Sequence, residues 1–324
     1  MNRTFVIAEA GSNHDRKIEQ ALSLIDVAFS SGADAVKFQT YSSETLYCKN
    51  TPDFAGHTNI PKLMKSIELP RSWQKDLKSY CDDIGIEFMS TPFDEKAVDE
   101  LVSLGVKRMK IAGFEASDLR FVEMVASTRL PVIMSIGIGF PFDAWPLYVD
   151  IFQKYNNHLT VLHCNNAYPT PPEDVFLNTI TKLNMKRVDC VGFSDHTLSP
   201  FTPALAVSLG AEVIEKHFTL SRSFSGPDHT FALEPQELKQ MVEYVRYAES
   251  CLGYKKGFSS SEQKFKKAMR SIVAKKSIKK GERFTKNNLT TKRPYIEGNA
   301  PALAWTHKIN SVSDRDYDVD DFIK

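Results

Sequence analysis

Two imidazoles and two ammonium groups are the side chains of this sequence best suited to chemistry. His196 lies in Gly192-Phe-Ser-Asp-His-Thr197 and His217 in Glu215-Lys-His-Phe218, each closing an apolar run of strand-like composition. Placed at neighbouring strand ends, they would offer a divalent ion a pair of nitrogen donors. Their separation in sequence carries no ligand-spacing signature, so each could instead cap its own loop. Lys37 in Val36-Lys-Phe-Gln39 and Lys110 in Met109-Lys-Ile-Ala112 interrupt two other apolar runs. A buried ammonium needs a counterion or an anionic ligand. Together the two lysines make a cationic place for a phosphate or carboxylate. Two local salt bridges, or a lysine desolvated for Schiff-base chemistry, are the competing readings.

Carboxylates surround these groups in sequence: Glu9, Glu115, Glu215 and Asp228 all fall near strand ends. Burial and neighbouring charge could tune any of them as an acid or base. Asp195 and Glu215 could alternatively orient the two histidines through their other ring nitrogens. His163-Cys-Asn-Asn-Ala-Tyr168 is followed by Pro169-Thr-Pro-Pro172, a stiff loop able to hold Asn166 and Tyr168 toward a ligand. Cys164 has no base that the sequence can pair with it. No phosphate-cradling glycine pattern occurs, and Gly137-Ile-Gly139 is too short to signal a dinucleotide site.

A repeating strand and helix pattern must position these residues. Strands are expected at 5–8, 35–38, 86–89, 108–112, 131–134, 159–162, 190–193 and 212–215. Helices are expected over 18–29, 71–83, 94–104, 118–128, 142–155, 173–183, 201–209 and 235–251, with 41–70 irregular. Eight such pairs in about 250 residues match the length and period of a (β/α)₈ barrel. A doubly wound open sheet is the alternative. Ser12, Ser90, Thr91, Ser135, Asn165, Asn166, Ser194 and Thr197 follow strands, which gathers polar side chains at the carboxyl face.

Residues 1–252 are read as the barrel, 253–268 as a Lys- and Ser-rich linker, and 269–324 as a small, mostly β domain. The acidic stretch Ser313 to Phe322 reads as a solvated tail. Lys and Arg number 41 against 40 Asp and Glu, so no charge excess recommends a nucleic acid partner. Five cysteines without a CxxC pair point to a reducing compartment. No signal-peptide core or membrane-length apolar run is present, and a soluble cytoplasmic protein is expected.

Several ordered motifs resemble the N-acetylneuraminate synthase family, which includes the legionaminate and pseudaminate synthases. They are Ile7-Ala-Glu-Ala-Gly-Ser-Asn-His14, Gly32-Ala-Asp-Ala-Val-Lys-Phe-Gln39, Phe88-Met-Ser-Thr-Pro-Phe93, Met109-Lys-Ile-Ala112 and Cys164-Asn-Asn-Ala-Tyr-Pro169. The two histidine motifs and Gly226-Pro-Asp-His229 continue the series. Val273 to Glu282 and Asn288 to Pro294 look like that family's antifreeze-like SAF domain.

The resemblance implies condensation of phosphoenolpyruvate with an open-chain N-acylated aminosugar and water, releasing phosphate. It implies His196 and His217 as ligands of a divalent ion, manganese first, with magnesium or cobalt as alternatives. Lys37 and Lys110 would clamp phosphoenolpyruvate with Thr91, Ser135, Asn166 and Ser194. Glu9, Gln39, Tyr168 and Asp228 would face the sugar, Glu115 would handle the water proton, and Glu215 would support the metal and sugar environment. A domain-swapped homodimer is implied, with Arg293 reaching the sugar's acyl group. A lysine-dependent aldolase and a non-catalytic sugar-binding barrel are the rival readings. Where family members often carry serine after Lys-Ile-Ala, this chain has Gly113.

Overall fold

The structure is a computed structural model that describes residues 3–53, 56–138, 140, 144–155, 157–183 and 188–324. Gly139 and the first residues of the helix expected from 142 lie outside the described residues. The chain divides into two compact units, Met1–Leu252 and Gly253–Lys324.

In the first unit, eight parallel strands alternate with helices. They are β1 Phe5–Gly11, β2 Ala35–Thr40, β3 Glu87–Pro92, β4 Met109–Ile111, β5 Val132–Ile136, β6 Leu159–Cys164, β7 Cys190–Asp195 and β8 Val213–His217. Helix α1 (Ile18–Ser30) follows β1. After β2, the stretch expected to be irregular holds two helices, α2 (Ser43–Leu46) and α3 (Ile60–Ile67), ahead of α4 (Gln74–Ile84). One helix follows each remaining strand: α5 (Glu95–Leu104), α6 (Leu119–Ser127), α7 (Trp145–Tyr155), α8 (Asn178–Leu183), α9 (Thr202–Ser208) and α10 (Pro235–Cys251).

The strand order is β3-β2-β1-β8-β7-β6-β5-β4, and its two end strands pack side by side. The sheet therefore rolls up into a (β/α)₈ barrel rather than opening at a switch point.

Strand alternation sorts the interior into layers. Ile7, Ala35, Met89, Ile133, Leu162 and Val213 form an apolar plug inside the barrel. Two residues further along the same strands stand Glu9, Lys37, Thr91, Ser135, Cys164 and Glu215. A dry floor thus underlies a polar layer, and intervening residues such as Val6, Phe38 and Phe193 join the larger core beneath the helices.

Gly192 lies on the same row of β7 as Ser194. A Cβ there would overlap the Val213 carbonyl oxygen and stand 2.5 Å from Leu162 Cδ2. Backbone cannot yield as a side-chain tip can, so Gly192→Ala is expected to cost about 1–3 kcal/mol. A thermal melt should show a Tm lower by several degrees, and an unchanged Tm would mean that the plug is looser than its contacts indicate.

The second unit pairs β9 (Ser271–Ala274) antiparallel with β10 (Leu289–Lys292), and also holds the short helices α11 (Ser260–Gln263) and α12 (Trp305–Lys308). Its core contains Ile272, Ile278, Phe284, Leu289, Tyr317 and Ile323. The acidic terminal stretch is therefore not the solvated tail that its charge suggests. Tyr317 bridges to Ile278 and Phe322 to Val273, while the acidic side chains between them point outward. Among the described residues, no helix is long and apolar enough to cross a membrane.

Candidate active site

The polar layer is a buried charge network. Lys37 Nζ stands 2.8 Å from Glu9 Oε2 and 3.6 Å from Glu215 Oε2, and donates to Thr91 Oγ1 at 2.8 Å. Lys110 Nζ lies 3.7 Å from Glu215 Oε1 and donates to Ser135 Oγ at 2.8 Å. Ser194 Oγ donates to Glu215 Oε1 at 3.1 Å, and Gln39 Nε2 to Glu9 Oε1 at 3.1 Å. Two lysines and two glutamates thus share one desolvated layer above the apolar plug.

Burial works to discharge every member of this network. For Lys37, Glu215 and Glu9 outweigh burial and hold the ammonium above its ordinary range. Burial prevails at Lys110 and lowers it, against the pull of Glu215. Glu215 resists burial because Lys110 and Lys37 both face it, and it stays below the usual carboxylate range. Glu9 is pushed up to about 7 by burial, with Lys37 opposing and Glu215 assisting.

The histidines stand one step nearer the barrel mouth. His196 immediately follows β7, His217 ends β8, and their ring centroids are 5.4 Å apart. His196 Nδ1 lies 2.6 Å from the Asn165 carbonyl oxygen. That contact assigns the proton to Nδ1 and leaves Nε2 as a free donor pair. Among the described residues His217 Nδ1 is buried without a hydrogen-bond partner, 3.9 Å from Asp228 Oδ2. Burial holds His196 down at about 4 and His217 well below the ordinary imidazole range, so both rings are neutral.

A neutral imidazole pair, one member with an orphaned nitrogen, has the chemistry of a divalent-cation site. Among the described residues, no group of three or more His, Cys, Asp or Glu side chains is gathered to hold a metal. Any ion here would complete its shell from substrate or water. Tyr168 covers the pair, its ring 4.1 Å from His196 and 6.1 Å from His217.

Asp195 and Glu215 do not orient the histidines. Asp195 points out of the barrel, where its carboxylate accepts from Lys216 Nζ at 2.7 Å and from the Thr197 backbone N–H at 2.8 Å. Lys216 also donates to the Thr197 carbonyl. The residues directly preceding the two histidines are therefore tied together behind them. This buried pair was not foreseen, although alternation alone puts Asp195 and Lys216 on the face opposite Ser194 and Glu215.

Gly11 was also missed as part of the site. Its φ is +53°, and a Cβ on it would lie 2.6 Å from Asp228 Oδ2 and 3.2 Å from His217 Nδ1. Only glycine leaves room for both groups there. His14 and His229 lie nearby but serve the loops. His14 Nδ1 accepts from the Arg16 N–H at 3.0 Å, and His229 spans Thr219 Oγ1 and Asp15 Oδ1 at 2.6 and 3.0 Å.

Asn166 Oδ1 accepts from the Ile138 N–H at 2.9 Å, so its NH₂ faces Gly113. A Cβ on Gly113 would stand 2.9 Å from that nitrogen. Where the resembling family offers a serine hydroxyl, this chain has space filled by the Asn166 amide. Glu115 opens a short 3-10 turn after β4, and its Oε2 is buried without a partner among the described residues. Burial pushes it up to about 7, with Lys110 pulling the other way. Cys164 remains a thiol, since burial raises it to about 12. Arg293 lies exposed in the second unit, just past β10.

Comparison with known proteins gives the family. Residues 24–257 match the profile of the NeuB family, and residues 269–308 match the SAF domain. An N,N'-diacetyllegionaminic acid synthase of Legionella pneumophila is 38% identical over 305 residues, 90% of this chain and 85% of that protein. The synthase of the same name from Campylobacter jejuni is 36% identical over 336 residues, spanning 100% of both chains. A crystal structure of the N-acetylneuraminic acid (sialic acid) synthetase of Leptospira borgpetersenii, in complex with citrate, superposes with a TM-score of 0.74 at 34% identity. It covers 82% of this chain and 90% of that one. With a family profile matching most of the barrel and relatives above 30% identity along nearly the whole length, this chain belongs to the NeuB family.

Proposed function

We propose that the protein is a nonulosonate synthase, condensing phosphoenolpyruvate with an N-acylated aminosugar and water to give a sialic-acid-type keto acid and phosphate. The observation that carries this reading is the convergence of Lys37 and Lys110 on Glu215 directly beneath the His196 and His217 pair. Lys37 is held charged, the state an anion clamp needs, whereas Lys110, lowered by burial, is the lysine that a Schiff-base aldolase would have to use. The likeness to acid synthases supports the same reading.

In this mechanism Lys37, Lys110, Thr91, Ser135, Asn166 and Ser194 bind the phosphate and carboxylate of phosphoenolpyruvate. Glu9, Gln39, Tyr168 and Asp228 hold the open-chain sugar with its aldehyde over C3 of the enolpyruvyl group. His196 and His217 would hold a divalent ion, manganese by resemblance, which supplies Lewis-acid polarisation of the aldehyde oxygen. C3 attacks the aldehyde carbon, a C–C bond forms, and the aldehyde oxygen becomes a hydroxyl. Glu115 takes one proton from the water that adds at C2, which offsets the proton gained by the aldehyde oxygen. The tetrahedral adduct loses phosphate by C–O cleavage, its remaining water proton leaving with the phosphate as the ketone forms.

Arg293 would meet the acyl group from the second unit of a partner in a domain-swapped dimer. Opposite charges on the two units support such an arrangement. Residues 1–252 carry 24 Lys and Arg against 32 Asp and Glu, and residues 253–324 carry 17 against 8.

The test supplies phosphoenolpyruvate with N-acetylmannosamine, its 6-phosphate or diacetylated bacterial aminosugars. Phosphate release is followed, with mass identification of the product. Release is expected only with both substrates present, to be lost on chelation and restored by Mn²⁺. No turnover across the panel by folded, metal-supplied protein would refute the assignment.

A further inference from the structure

Tyr41 is 2% exposed, yet among the described residues its buried hydroxyl has no hydrogen-bond partner. Tyr41 directly follows β2, and the strand's alternation carried one residue further turns it toward the cavity, on the side of the Asp228 carboxylate. Phe38 stacks outward on Phe88, and Thr40 Oγ1 meets Ser90 Oγ and Gln74 Nε2 on the outer face. Lys37, Gln39 and Tyr41 therefore share the inward face. Pairing continues past the strand, since the Phe93 N–H donates to the Thr40 carbonyl at 3.1 Å and the Phe93 ring meets Tyr41 edge-on at 5.7 Å.

Burial first, then the Asp228 carboxylate, pushes the phenol far above its ordinary range, so it keeps its proton. Such a hydroxyl is a permanent donor in want of an acceptor. Left unsatisfied, it destabilises the ligand-free fold.

We infer that Tyr41 is an additional sugar-recognition residue whose hydroxyl donates to an oxygen of the aminosugar acceptor, alongside Gln39 and Asp228. This rests on the proposed synthase reading. It assigns Tyr41 to the sugar rather than to phosphoenolpyruvate because residue 41 lies one inward step above Gln39 and two above the phosphate-clamping Lys37. The ring fills the wall in either case, and the hydroxyl alone does the recognition.

The test is Tyr41→Phe in the full chain, with each substrate varied at saturating levels of the other and Tm measured without ligands. The KM for the aminosugar is expected to rise about tenfold, with the KM for phosphoenolpyruvate within twofold and Tm equal to or above that of the wild type. A purely structural hydroxyl, or one bridged by a bound water, would lower Tm and leave the sugar KM in place. That result overturns the inference, as does an unchanged sugar KM at unchanged Tm. The two failures are separable: no phosphate release from the wild type would strike the synthase reading. Normal wild-type turnover with an unaltered sugar KM in the variant would strike only the role of Tyr41.

Discussion

Lys37→Met is expected to lower kcat/KM by about 10³-fold and to destabilise the fold in the same stroke. Among the described residues the ammonium is the one cation within 4 Å of both Glu9 and Glu215, at the centre of a layer that admits almost no water. Removing one partner of a buried charge set costs about 3–5 kcal/mol, because the carboxylates left behind cannot be resolvated. Loss of a cation aimed at a phosphate removes a comparable share of transition-state stabilisation. The two losses can be separated by also changing Glu9 to Gln, since that removes one orphaned carboxylate without restoring the clamp. The double variant should recover part of the Tm deficit above pH 7, seen by calorimetry, while its KM for phosphoenolpyruvate, the substrate assigned to Lys37 and not to Glu9, stays raised. A Lys37→Met enzyme that kept its KM for phosphoenolpyruvate would remove the lysine from the anion site.

The barrel was legible because its outer apolar rows repeat with helical and strand periods, and those rows build the large core. The expected strands stop too early at the carboxyl side for one physical reason. β1, β2, β3, β5, β6, β7 and β8 each run about two or three residues further than their apolar runs. Those extra positions line the candidate site: Glu9, Gln39, Thr91, Ser135, Cys164, Ser194 and His217. A polar residue at the end of an apolar run reads as a loop. In a barrel it reads as a wall, because backbone pairing continues while the interior changes from packing to chemistry.

Residues recognised by type, such as Lys37 and His196, were therefore accessible from sequence. Those defined by absence or by opposite-face partnership were not. Gly11 matters because nothing projects from it, and Asp195 looked like a histidine partner until alternation turned it toward Lys216. The helices α2 and α3 escaped notice because they are short and lie in a stretch punctuated by proline and glycine.

Glu115→Gln is expected to reduce kcat by about 10²–10⁴-fold, the range for loss of a positioned acid or base, while making the folded protein more stable at alkaline pH. The carboxyl is raised from 4.5 to about 7 by burial, so the folded state holds its proton more tightly than the unfolded chain does. Stability from that proton is complete below about pH 4.5 and is lost as pH rises through 7. The charged form above 7 burdens the fold by roughly 3 kcal/mol. Glutamine removes the charge and keeps the shape, so its Tm advantage over the wild type should be clear at pH 8 and vanish below pH 5.

Activity follows the opposite sign. A base must be deprotonated, so wild-type kcat should climb with an apparent pKa near 7, and the glutamine variant should lack that limb. Glu9 titrates in the same range, which makes the pH profile of Glu9→Gln the necessary control. A limb that persists in Glu115→Gln and disappears in Glu9→Gln would transfer the proton-handling role to Glu9. Greater stability without activity in Glu115→Gln would instead identify a strained acid kept at a cost to the fold for the sake of the water-addition step.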